Sequence, residues 1–222
     1  MNGPTNIDTQ RGLYEDRSTF SHTMIGDKRL SSLRKMCEQV IQNNIPGDFI
    51  ETGVWRGGAC ILMRAVLKAH DDTKRIVWCA DSFEGLPKPN LKKYPKDSGI
   101  AGELHKFEYL SVSLEKVESH FSKYGLLDNQ VRFLKGWFKD TLPQAPIEKL
   151  AILRLDGDMY ESTIQALDAL YDKLSTGGFL IVDDFGVIIE CHKAIYDFRQ
   201  AHSITDEIQI IDSSGIYWKK SG

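Results

Sequence analysis

Five short apolar runs set the architecture of this chain: Asp48–Glu51, Arg75–Ala80, Val131–Leu134, Leu150–Leu155 and Phe179–Val182. Each is too short for a helix, and the segments between them are long enough to hold one. From Gly26 to about Asn44, Leu30, Leu33, Met36, Cys37, Val40 and Ile41 recur at helical spacing. A second helix carries Ile61, Leu62, Ala65, Val66 and Ala69, and a third segment, Val112–Tyr124, leads into the third run. Helices from about Glu161 to Leu174, with Gly177-Gly178 as its cap, and from Ile189 to Ala201 complete the set. Strands alternating with helices predict a mostly parallel sheet covered on both faces. Two further short strands, Glu207–Ile211 and Gly215–Trp218, flank Asp212-Ser213-Ser214 and read as a hairpin. The expected fold is α/β and Rossmann-like: a mostly parallel, seven-stranded sheet with a C-terminal antiparallel hairpin strand.

At 222 residues the chain suffices for one domain without metal or disulfide staples. Residues 1–22 are polar and read as an N-terminal arm, leaving 23–222 as a single domain. Residues 86–105 are rich in Pro, Lys and Gly, lack a period, and form a candidate lid. The net charge of −3 is spread without a basic stripe, which disfavours a nucleic-acid partner. No apolar run approaches membrane-spanning length and no h-region opens the chain, so a cytoplasmic protein with no membrane partner is expected. Cys37, Cys60, Cys79 and Cys191 form no CxxC pair and read as free thiols, three of them in apolar, periodic segments.

Chemistry gathers at the strand ends, where open parallel sheets bind ligands. The first strand runs into Glu51-Thr52-Gly53-Val54-Trp55-Arg56-Gly57-Gly58, whose glycines admit close backbone approach. The second ends at Asp81, placed to accept a ribose hydroxyl pair, and the third leads into Gly136-Trp137-Phe138, aromatic cover for a purine. Any of these alone could be a turn or a cap; their order along the sheet points to a nucleoside. The first loop is not G-x-G-x-x-G, and Glu51 would repel a pyrophosphate yet accept from a methionyl ammonium.

The fourth strand ends Asp156-Gly157-Asp158 and the fifth ends Asp183-Asp184. Four carboxylates on one rim repel unless a cation intervenes, and all-oxygen donors favour Mg²⁺, Mn²⁺ or Ca²⁺ over zinc. Helix capping by Asp158 or Asp184 is the competing reading, and it accounts for one carboxylate per element rather than two. No hydrolase elbow or P-loop is present.

The chain resembles the macrocin O-methyltransferase family, sugar O-methyltransferases of antibiotic pathways. The resemblance rests on Thr23–Gly26, Ile50–Gly58, Asp81–Pro87, Gly125–Asp128, Gly136–Pro143, Leu155–Thr163, Asp183-Asp184 and the helix Cys191–Arg199. It implies S-adenosyl-L-methionine as cofactor, held around Met24, Glu51, Thr52, Gly53, Val54, Gly57, Gly58, Asp81, Ser82, Ser113, Gly136 and Trp137. It implies Mg²⁺ on Asp156, Asp183 and Asp184, with Asp158 as general base. The implied acceptor is a hydroxyl of a small molecule, a sugar hydroxyl of a glycosylated natural product, and the implied assembly a homodimer. Two other functions fit the same residues: a catechol-type enzyme acting on a phenolic diol, and a non-catalytic cofactor-binding protein.

Overall fold

In the computed structural model, which describes residues 21–222, one seven-stranded sheet runs in the order β3-β2-β1-β4-β5-β7-β6. Its strands are β1 (Asp48–Thr52), β2 (Val77–Asp81), β3 (Val131–Lys135), β4 (Leu150–Leu155), β5 (Leu174–Val182), β6 (Gln209–Ile210) and β7 (Ile216–Lys219). The first five pair in parallel, and β7 pairs antiparallel with both β5 and β6. The helices are α1 (Gly26–Gln42), α2 (Gly58–Ala69), α3 (Leu114–Lys123), α4 (Phe138–Thr141), α5 (Tyr160–Leu170) and α6 (Ile189–Ala201). The expected architecture is present. Of the expected arm, residues 1–20 lie outside the described part.

Strand side chains alternate between two cores. Phe49, Cys79, Ile152, Phe179 and Ile181 pack against α1, α2 and α3 through Met36, Met63 and Phe121. Their neighbours Ile50, Trp78, Leu153, Leu180 and Val182 pack against α5 and α6 through Leu167, Leu170 and Phe198. Burial on both faces explains the unbroken apolar runs. All four cysteines are buried and free. No helix among the described residues is long and apolar enough to cross a membrane.

Two expectations change. Gly177-Gly178 do not cap a helix: α5 ends at Leu170, a 3₁₀ turn covers Tyr171–Lys173, and both glycines lie inside β5. Gly177 has φ +84°, and the β4–β5 register shifts between Leu150 and Ile152. A bulge and a helix C-cap both call for left-handed glycine, so the sequence signal is the same. The candidate lid, in turn, is not featureless. It holds 3₁₀ turns at Pro95–Ser98 and Ala101–Lys106, and a third turn, Glu108–Leu110, follows.

Candidate functional site

Strand order reverses between β1 and β4, and the chain breaks away on both sides of that gap. Asp156 N–H donates to Thr52 O at 2.9 Å, and Gly53 N–H to Ala80 O at 2.9 Å. Gly53 has φ +91°, and a Cβ there would overlap the Asp156 carbonyl oxygen. Only glycine lets the two strand ends lie this close.

A cavity of about 430 Å³ opens above this crevice, within the range of small-molecule sites. Of the predicted cofactor residues, Met24, Gly53, Asp81, Ser82, Gly136 and Trp137 line it. Phe138, read with Trp137 as aromatic cover, lines it too, as do Trp55, Glu161 and Gln165, to which no role was given. The indole of Trp55 donates to Tyr109 O at 2.9 Å, joining the glycine turn to the segment beyond the candidate lid.

The remaining predicted cofactor residues, Glu51, Thr52, Val54, Gly57, Gly58 and Ser113, do not line the cavity, and Asp81 reaches the glycine turn from the wall. Asp81 Oδ2 accepts from Val54 N–H at 2.6 Å and Trp55 N–H at 3.3 Å, while Oδ1 accepts from Phe83 N–H at 2.7 Å. Thr52 and Val54 are buried. Gly57 N–H donates to Val54 O and Gly58 N–H to His22 O, each at 2.8 Å, so these two amides already have protein acceptors. Ser113 caps α3 by accepting from Lys116 N–H.

Glu51 is 2 % exposed and absent from the cavity wall. Its carboxylate pairs with Arg154 and accepts from the Cys60 thiol at 2.9 Å. Burial pushes its pKa up to about 7, against the pull of Arg154. The pleat explains its place: Glu51 shares its face with Phe49, toward α2.

On the β4–β5 side the structure brings the acids together. Asp156, Asp183 and Asp184 each present a carboxylate oxygen within 4.8 Å of the others. Asp158 lies outside this cluster; it lines the cavity together with Asp156, and its N–H donates to Asp184 Oδ2 at 3.2 Å. Neither Asp158 nor Asp184 caps a helix: the cap position of α5 is Met159, without a side-chain bond of its own. Burial raises Asp158 to about 7 with help from the charges of Asp156 and Asp183, and it raises Asp183 to about 6. Asp184 is also raised, by burial and then by its three acidic neighbours.

Two arginines temper this charge. Arg154, 1 % exposed, bridges Glu51, Asp156 (2.7 Å) and Asp183. Arg29 from α1 pairs with Asp183 and with Asp212 (3.1 Å). A lone charge inside Leu-Ala-Ile-Leu-Arg-Leu was the available signal for Arg154, since a charge in a strand buried on both faces needs partners. Glu51, Asp156, Asp158, Asp183, Asp184 and Asp212 make six acids around these two arginines. The donor set is oxygen only, which fits a hard divalent cation.

A family model described as Macrocin-O-methyltransferase (TylF) matches residues 2–220. The chain is 49 % identical over 218 residues to the mycinamicin III 3''-O-methyltransferase of Micromonospora griseorubida, covering 97 % of this chain and 85 % of that protein. It is 54 % identical over 202 residues to the demethyldecarbamoylnovobiocin O-methyltransferase of Streptomyces niveus, covering 90 % and 76 %. Among solved structures, the O-methyltransferase NovP superposes with a TM-score of 0.88 at 52 % identity, covering 91 % of this chain and 83 % of that one.

Proposed function

Since the chain belongs to the macrocin O-methyltransferase family, we propose that it transfers a methyl group from S-adenosyl-L-methionine to a sugar hydroxyl of a glycosylated natural product, assisted by Mg²⁺. One observation carries the reading: three carboxylate oxygens converge within 4.8 Å beside a cavity whose wall includes Asp158. Both relatives are named for O-methylation of natural products, mycinamicin III and demethyldecarbamoylnovobiocin, which supports an acceptor of that class.

S-adenosylmethionine supplies an electrophilic sulfonium methyl, and Mg²⁺ held by Asp156, Asp183 and Asp184 supplies Lewis acidity toward an alkoxide. The chain does the rest. Gly53, Asp81, Ser82, Gly136 and Trp137 form the nucleoside wall, with Asp81 holding the Val54–Trp55 turn in shape. Leu86, Pro87 and Leu110 cover the cavity with apolar surface and exclude water. Asp158 accepts the hydroxyl proton, a step typically worth about 10²–10⁴ in rate. Glu51 pairs with Arg154 and Cys60 outside the cavity wall, so no direct cofactor contact is assigned to it. A homodimer in the cytoplasm remains the expected setting.

The test is transfer of a labelled methyl group to a panel of glycosides and simple catechols, with Mg²⁺ and with excess EDTA. Transfer to glycosides only, lost in EDTA and restored by Mg²⁺, is the expected result. Undiminished turnover in EDTA would eliminate the metal-assisted mechanism, and preference for catechols would eliminate the sugar acceptor.

A further inference from the structure

The helix that follows Asp158 is capped from a distance. Asp97 is 1 % exposed, and its carboxylate accepts from Tyr160 N–H at 2.7 Å and Glu161 N–H at 2.9 Å. These are the first two amides of α5, whose own cap residue, Met159, offers no side-chain acceptor. The donors lie more than sixty positions away in sequence, so this bond joins two segments rather than closing one turn. Neighbouring contacts fasten the same segment. Lys96 pairs with Asp197 on α6, Tyr160 hydroxyl donates to that carboxylate at 2.7 Å, and a Cβ on Gly99 would overlap the Glu190 carboxylate. Residues 95–99 are therefore seated on α5 and α6. Of the candidate lid, Leu86, Pro87, Lys88 and Asn90 face the cavity and Asp97 does not.

Asp158 sits between two fixed points. On one side β4 ends at Leu155, and on the other Asp97 anchors the amides of residues 160 and 161. Asp158 itself has φ +56°, a left-handed conformation uncommon in non-glycine residues and most often taken by Asn and Asp in tight turns. We infer that Asp97 is a positioning residue: by holding the start of α5 it fixes the turn that aims Asp158 into the cavity. This rests on the reading of Asp158 as the base. A displacement of about 1 Å at a reacting group can cost 10²-fold in rate.

The experiment is a double-mutant cycle on the full chain, using a glycoside that the wild-type protein methylates. Asp97→Ala should lower kcat by about 10–100-fold, while acceptor KM and the Kd for S-adenosylhomocysteine stay within about twofold, since Asp97 touches neither. Asp97→Asn retains one acceptor oxygen and should recover part of kcat. It also serves as the decisive variant should Asp97→Ala not fold. Hydrogen exchange at the Tyr160 and Glu161 amides should quicken in step with the loss of kcat. In an Asp158→Asn background either Asp97 substitution should cost nothing further, because the group it positions is already gone. Wild-type kcat in both Asp97 variants, or an equal loss in the Asp158→Asn background, would overturn the inference. A fully active Asp158→Asn single variant would instead remove the base assignment, an outcome visible without any Asp97 variant.

Discussion

Arg154 and Glu51 are register partners across β4 and β1, and their side chains form an ion pair sealed from solvent on the face covered by α1 and α2. The same guanidinium reaches Asp156 and Asp183, so one buried cation ties the cofactor-side strand to both acidic strand ends. Removing one partner of a buried pair typically costs about 3–5 kcal/mol, because the charge left behind stays desolvated. Arg154→Met should lower the unfolding free energy by about that amount in urea titration. Adding Glu51→Gln should restore part of it. A loss below about 1 kcal/mol in Arg154→Met would mean the three carboxylates need no internal counter-cation.

A second arginine pair predicts behaviour in acid. Arg64 on α2 grips Asp128, with Nη2–Oδ2 at 2.6 Å and Nε–Oδ1 at 3.0 Å, just before β3. The hydrogen bond from Arg64 holds the Asp128 carboxyl below its ordinary value of 3.8. A carboxyl depressed in the folded state stabilises it above the unfolded pKa, and that contribution fades as pH falls through the folded value. Asp128→Asn should therefore lower the melting temperature at neutral pH and narrow the gap to wild type below about pH 4. Asp128 is partly exposed, so screening keeps the effect small. A gap that widens in acid would reverse the assigned sign.

How far the sequence reveals this molecule depends on whether the signal is local. The parallel strands were readable because burial on both faces makes each a continuous apolar run, as in Leu150–Leu155. Asp156, Asp183 and Asp184 were readable because neighbouring strands end together. Gly177-Gly178 misled because bulges and helix ends use the same backbone conformation. Arg154 was visible as a charge in a buried strand, but its three partners come from register and pleat, which no single segment contains. Asp97 left no signal: it lies in a Pro- and Lys-rich stretch without period, and its partners are α5 amides. Glu51 was read from its strand-end position as a cofactor contact, but which way it faces is set by the period-two pleat, which puts it beside Cys60 of α2.

Asp81 offers a test of whether the proposed nucleoside wall depends on a side chain or on the backbone it organises. Both of its oxygens already accept amide hydrogens, from Val54, Trp55 and Phe83. Hydrogen bonds to a charged group are worth about 1.5–3 kcal/mol each, so Asp81→Ala should weaken S-adenosylhomocysteine binding by about tenfold or more in calorimetry. Asp81→Asn should do nearly as badly, because its amide nitrogen would confront an N–H donor. Wild-type affinity in Asp81→Asn would show that the shape of the turn does not depend on the carboxylate.

The last prediction separates the proton acceptor from the metal ligands. A strand continuing through Asp158 would have put Asp156 and Asp158 on one face, where both could reach a cation. The strand instead stops at Leu155, and the turn at Asp158 is left-handed; both residues line the cavity, but only Asp156 converges with Asp183 and Asp184. Asn tolerates a left-handed conformation better than most residues, so Asp158→Asn should keep the turn and lose only the basicity. Its kcat should fall by about two to four orders of magnitude with Mg²⁺ and cofactor affinity retained. Asp156→Asn should instead raise the Mg²⁺ concentration needed for half-maximal turnover, with partial rescue at high metal, because two of three carboxylates remain. Titrating Mg²⁺ against initial rate in both variants distinguishes these outcomes. Rescue of Asp158→Asn by metal, with none for Asp156→Asn, would exchange the two roles; a full-speed Asp158→Asn enzyme would leave bulk water as the proton acceptor.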